Sequence, residues 1–146
     1  MEDLLLDDSE LGLTNQNFEY AGFWNRAAAI FIDGIIIGIP MKVLETFFND
    51  SQEGIIIVGL LGFIVRWLYF ALQESSPAQA TIGKKALGIK VVDLNGNQIS
   101  FAKATGRYFG KIISSAILFI GFFMAGFTEK KQALHDMMAG TLVIKD

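Results

Sequence analysis

Trp24-Asn25-Arg26-Ala27-Ala28-Ala29-Ile30-Phe31-Ile32-Asp33-Gly34-Ile35-Ile36-Ile37-Gly38-Ile39 is an apolar run with one charge at its mouth and a second inside it. Arg26 and Asp33 are seven residues apart. That is almost two turns at 3.6 residues per turn, so a helix places them on one face, about 10 Å apart along its axis. Helical side chains tilt toward the N-terminus, which points Asp33 back toward Arg26. A carboxylate in so apolar a run reads as an acid inside a bilayer. It costs on the order of 3 kcal/mol or more there, and such groups face protein or water and have a task. A soluble core helix with one polar residue is the alternative, and the rest of the chain argues against it.

The length of 146 residues makes one domain the default. Hydrophobic residues make up 52% and charged residues 18%, the latter below the ~25% of soluble domains. Phenylalanine and glycine are abundant, as in membrane helices. The net charge of −3 and the lack of a basic stripe with interleaved aromatics exclude nucleic acid as a partner. The chain has no cysteine, which excludes disulfides, thiol catalysis and thiolate-bound metals. Residues 1–20 hold acids but no Lys or Arg. No signal peptide is expected, and the first apolar run then acts as its own insertion signal.

Residues 1–19 read as an acidic, mobile tail, carrying Glu2, Asp3, Asp7, Asp8, Glu10 and Glu19. Tyr20, Phe23 and Trp24 sit where an aromatic belt meets the lipid boundary. The first helix is expected over about 23–48, kinked or ended by Pro40. Gly34 and Gly38 form a small-xxx-small pair suited to close helix contact. After the polar turn 49–54, a second span is expected over about 55–72, and the two make a helical hairpin. Arg66 lies about 9 Å from the end of that second span, near the level of Asp33. Asp33 and Arg66 are therefore expected to pair inside the membrane, with Arg26 nearer the surface; the alternative is that Arg66 snorkels to the headgroups.

The stretch 73–101 is polar and turn-rich. Thr81 to Gly88 reads as a short interfacial turn or helix, Ile89–Asp93 as a strand, Asn95-Gly96 as a hairpin turn and Gln98–Phe101 as a returning strand, so that about 81–101 forms a small β segment. Two strands are marginal alone, and the β-branched C-terminal run at about 140–145 is the expected third. Ser100 is positioned to cap a third helix over about 101–127, with Lys103, Arg107 and Lys111 spaced as one cationic stripe. Its apolar part, Ile112 to Phe127, is shorter than the roughly 20 residues of an untilted span. The fold class is thus mainly α and integral to the membrane: a transmembrane hairpin, a third apolar helix that re-enters or spans, and a small cytoplasmic β-hairpin or three-stranded element. Lys84, Lys85, Lys90 and Lys103 place the middle segment in the cytoplasm, since the turn between the first two helices has no Lys or Arg. The N-terminus is then cytoplasmic too. A re-entrant or tilted third segment keeps Lys130, Lys131 and His135 on that side; a full span moves them out.

Gly83-Lys84 is not a phosphate loop, because Ala78 and Lys85 stand where Gly and Ser or Thr are required. One histidine cannot supply a metal site by itself, and no metal, cofactor or catalytic grouping is expected. His135-Asp136 is either a structural pair that fixes a turn or a proton-accepting group near the cytoplasmic mouth, since histidine titrates near neutrality.

Arg26 and Asp33 in the first helix, the middle Thr81-Ile82-Gly83-Lys84 with Leu87-Gly88-Ile89-Lys90-Val91-Val92-Asp93, and the closing Gln132-Ala133-Leu134-His135-Asp136 with Ala139-Gly140-Thr141 together resemble the RDD family of small bacterial membrane proteins. The resemblance covers about residues 17–146 and implies that Arg26, Asp33 and Asp136 are the residues behind the family's name. Ile82 departs from a pattern in which many relatives carry proline. The resemblance implies a multi-pass domain in the cell membrane, the inner membrane where there are two, and a proposed part in transport, including cation–proton exchange.

Two readings follow. In the first, Asp33 binds a proton or small cation, Arg26 and Arg66 tune it, and His135-Asp136 relays protons. That needs an oligomer with contacts at Gly34 and Gly38 or at Gly106 and Gly110. In the second, Arg26, Asp33, Arg66 and Asp136 form an ionic cluster that only fixes packing, in an accessory module for a membrane-protein partner. The lipid bilayer is the surrounding partner in both, and neither is an enzyme.

Overall fold

The computed structural model describes residues 17–116, 126–127 and 129–146. Residues 1–16, which hold most of the expected acidic tail, and 117–125, on which the choice between a re-entrant and a spanning third helix depends, lie outside the described residues. The elements are α1 (Phe23–Phe48), α2 (Gln52–Glu74), α3 (Ile82–Ala86), β1 (Ile89–Asp93), α4 (Phe101–Ala116), α5 (Leu134–Ala139) and β2 (Thr141–Lys145).

α1 and α2 form the expected hairpin. Their contacts step in register from the loop inward: Gly54 against the Phe48 carbonyl, Gly62 against Met41, Tyr69 against Asp33. α1 continues through Pro40 rather than ending there. α2 starts earlier than its apolar run. The Ser51 side chain accepts from the Gly54 N–H at 3.0 Å, and Glu53 sits in the first turn, where the helix dipole favours an acid. Both helices are inside-out by soluble standards. Trp24, Phe31, Ile39, Phe47, Ile57 and Leu60 are exposed, while α1 buries Arg26, Ala29, Asp33 and Ile37 along one stripe. α4 does the same, burying Ala104, Arg107, Gly110 and Ser114 and exposing Phe101, Phe109 and Ile112. It crosses the second half of α2, where Trp67 Nε1 donates to Thr105 Oγ1 at 3.1 Å.

The β element differs from expectation. Gln98–Phe101 does not return as a strand. Asp93 closes the Asn95-Gly96 turn by accepting from the N–H groups of Asn95 and Asn97, and the chain passes into α4, with Ser100 capping Lys103 N at 3.2 Å. Among the described residues the sheet has two strands, β1 and β2, antiparallel, with Val91 opposite Val143. The free edges are covered by irregular chain. Ala21 N donates to Val143 O and Lys145 N to Glu19 O, while Val91 N donates to Gln79 O. Edge cover of this kind takes the place of the third strand. Behind the sheet, Ile89, Val91 and Val143 pack with Ala21, Ala29, Ala71, Ile99 and Ala104, so a small aliphatic core joins the sheet to all three long helices.

Candidate functional site

The buried charges of the described residues fall into two groups. The first centres on Asp33, which is wholly inaccessible. Its Oδ1 accepts from the Tyr69 hydroxyl at 2.7 Å and from Gly83 N at 2.8 Å, and its Oδ2 accepts from the Thr81 hydroxyl at 2.6 Å. Thr81 is the N-cap of α3 and also accepts from Lys84 N. Gly83 must be glycine for the approach to occur. A Cβ there would lie 2.9 Å from Asp33 Oδ1 and would collide with the Ala29 carbonyl. The three donors are neutral, so the carboxylate is solvated by the protein rather than matched by a cation.

The second group contains six charged side chains. Glu74, at the end of α2, receives Lys84 Nζ, Arg107 Nε at 3.1 Å and Lys111 Nζ at 3.5 Å. Asp136 receives Arg26 and Arg107, and it also accepts from Ala133 N at 2.9 Å, which caps the start of α5. Arg107 joins the two carboxylates, and its Nη1 also donates to the Thr141 hydroxyl at 2.6 Å. Arg26 Nη1 donates to Lys131 O at 2.8 Å. Burial works against the ionised Asp136, but the Arg107 and Arg26 guanidiniums hold its carboxyl well below the usual carboxylate range. Burial pushes Lys84 down to about 7 despite the attraction of Glu74, with Lys111 and Arg107 adding to the drop.

The predicted site residues separate accordingly. Arg26, His135 and Asp136 come together, while Asp33 stands apart from them on the same face of α1. The expected Asp33–Arg66 pair does not form. Both oxygens of Asp33 are taken by Tyr69, Thr81 and Gly83. The hairpin register puts Tyr69 opposite Asp33 and Arg66 about one turn away, level with about residue 37, so the depth estimate missed by a turn and Tyr69 is the side chain that meets Asp33. His135 is 2% exposed, with Nε2 3.5 Å from Asp136 Oδ1. Burial pushes it to about 2, against the pull of Asp136, which fits the structural pair of the two readings rather than the proton-accepting group. Gly110 backs onto this histidine, 2.9 Å separating a would-be Cβ from His135 Cβ, whereas Gly34, Gly38 and Gly106 have open space there.

Sequence reasoning missed Glu74, Lys84, Arg107, Lys111, Tyr69 and Thr81 as site members. Glu74 looked like the polar end of a helix and Arg107 like part of an exposed stripe. The available signal was the small-residue spacing Ala104, Gly110, Ser114 around Arg107, which marks a face closed against protein.

A family model described as the RDD family matches residues 20–140. The chain is 36% identical over 146 residues to "Uncharacterized protein YxaI" of Bacillus subtilis (strain 168), covering 85% of this chain and 96% of that one. It is 30% identical over 141 residues to "Uncharacterized membrane protein YteJ" of the same organism, covering 87% and 82%. It is 28% identical over 137 residues to "Uncharacterized protein YckC", also from that organism, covering 86% and 85%. No solved structure gives a significant match.

Proposed function

The chain belongs to the RDD family, and from that premise we propose that it is a multi-pass protein of the cytoplasmic membrane whose buried charges latch a cytoplasmic cap onto a helical hairpin. In this reading it is a non-enzymatic accessory or assembly module that offers its lipid-facing helices to a membrane partner or to a second copy. Two helices long and apolar enough to cross a membrane, Phe23–Phe48 and Gln52–Glu74, support the membrane setting. The lysines of the middle segment support a cytoplasmic cap and N-terminus. A re-entrant third segment is supported by Arg26, which binds Lys131 O, and by Gly126, which lies beside Phe23; both bring the chain back to the first end of α1.

One observation carries the structural reading: Asp33 is inaccessible and its oxygens are filled by three fixed donors. A carboxylate that exchanges a proton or cation needs a path to water. The cavity between α1, α2 and α4 is lined by other residues. The transport reading remains the competitor, and proteoliposome flux separates the two. Wild type and Asp33→Asn are expected to show the same background movement of protons, Na⁺ and K⁺. A cation or proton flux in wild type that Asp33→Asn abolishes would overturn the proposal.

A further inference from the structure

Arg66 is a predicted site residue that lies outside both buried groups. It is exposed in the middle of α2, eight residues before Glu74 and therefore about 12 Å from that end of the helix. It makes no hydrogen bond or ion pair with any described residue. An arginine at that depth in a membrane span requires an anion or water. It lines an open cavity of about 540 Å³ between α1, α2 and α4, together with Gly38, Gly59, Phe63, Tyr108 and Ile112. That volume lies within the ~300–1,000 Å³ of small-molecule sites. Lys42 and Glu45 also line it, and they neutralise each other through a 3.0 Å ion pair. The cavity therefore carries one uncompensated positive charge.

The hairpin register shows where a counterion could come from. Met41 lies against Gly62 and Asp33 against Tyr69, so Arg66 is level with about residue 37 of α1. No exposed carboxylate of the described residues lies at that level. Asp33 is buried, and Glu45, Asp50 and Glu53 belong to the loop end. A second copy packed alongside would bring apolar surface but no acid at the right depth. We propose that the cavity binds an acyl-chain amphiphile with a monoanionic head, the head on Arg66 and the chain along Gly38, Gly59 and Ile55. A fatty carboxylate and a phosphodiester lipid share that chemistry.

Native mass spectrometry of the protein in neutral detergent tests this with palmitate and methyl palmitate as probes. Palmitate is expected to bind one per chain and at least tenfold more tightly than its ester. Arg66→Gln should bring the two within about twofold of each other. Gly59→Leu, where a Cβ meets nothing within 4 Å, fills the cavity and should weaken both by tenfold or more. Displacement of palmitate by dioleoyl phosphatidylglycerol supports the proposal and identifies the phosphodiester as a competent head. Failure to displace supports it with the carboxylate as the head. Equal binding of acid and ester by wild type, no binding of either, unchanged palmitate affinity in Arg66→Gln, or saturation by acetate or inorganic phosphate alone would each overturn it.

Discussion

Arg26 and Asp33 lie on one buried stripe of α1 and share no partner. Arg26 reaches Asp136 on α5, while Asp33 holds Tyr69 of α2 and the start of α3. One helix face thus anchors two separate pieces of the cap. α1 holds α3 through neutral donors and α5 through ions.

Removing the acid of the ionic anchor should be severe. Asp136→Asn leaves Arg26 and Arg107 buried and short of a counterion, and loss of one partner of a buried pair costs about 3–5 kcal/mol. Chemical unfolding in detergent micelles measures it. Arg26→Gln combined with Asp136→Asn should cost clearly less than the sum of the two single changes. Strict additivity would show that the two side chains are not coupled.

The neutral anchor should respond more mildly. In Asp33→Asn the new amide NH₂ must face at least one of the Tyr69, Thr81 or Gly83 donors, so a buried donor is left unmatched, at about 1–3 kcal/mol. Tyr69→Phe removes a single hydroxyl and should cost about 1 kcal/mol. If Asp33→Asn unfolds no more readily than wild type, the carboxylate is not bound as described.

Stability should fall on acidification from neutrality. His135 is held far below its ordinary 6.5 by burial, so the unfolded chain takes up a proton there first as pH drops from about 6.5. Asp136, held low by Arg107 and Arg26, adds a second loss below about 4. The thermal midpoint in detergent is therefore expected to drop between pH 7 and 5, and His135→Gln should flatten that first part of the curve. An unchanged slope in the variant would place the titrating group elsewhere.

Two glycines one turn apart make a matched test of α4 packing. Gly110→Ala puts a methyl 2.9 Å from His135 Cβ and should cost about 1–3 kcal/mol as α4 and α5 are forced apart. Gly106→Ala meets nothing within 4 Å and should be neutral, or stabilising by up to about 1 kcal/mol through helix propensity. The reverse order would mean that Gly106, rather than Gly110, lies against protein.

The sequence revealed the hairpin because its signal is local: two apolar runs and a polar turn. It also revealed that Arg26 and Asp33 share a face, which periodicity alone settles. Their partners were not legible. Spacing within a helix fixes height and azimuth on that helix only, so Arg66 was chosen over Tyr69 on depth. Glu74 and Arg107 meet across 33 positions of chain, and nothing in either neighbourhood names the other. The Asn95-Gly96 turn was read correctly as a turn. Its continuation into a strand failed because Gln79, outside any strand, already occupies the edge of β1 that a returning strand would use, taking the Val91 N–H.

The edge contacts Ala21 to Val143 and Glu19 to Lys145 have a consequence for biogenesis. The ribosome delivers residues 19–21 and Arg26 long before it delivers Asp136 and β2. In the membrane setting proposed above, Arg26 therefore stays without its Asp136 partner until the final stretch has been made. Hairpin formation and closure then become two separate events in time, and a ribosome stalled before codon 136 would leave the hairpin unlatched.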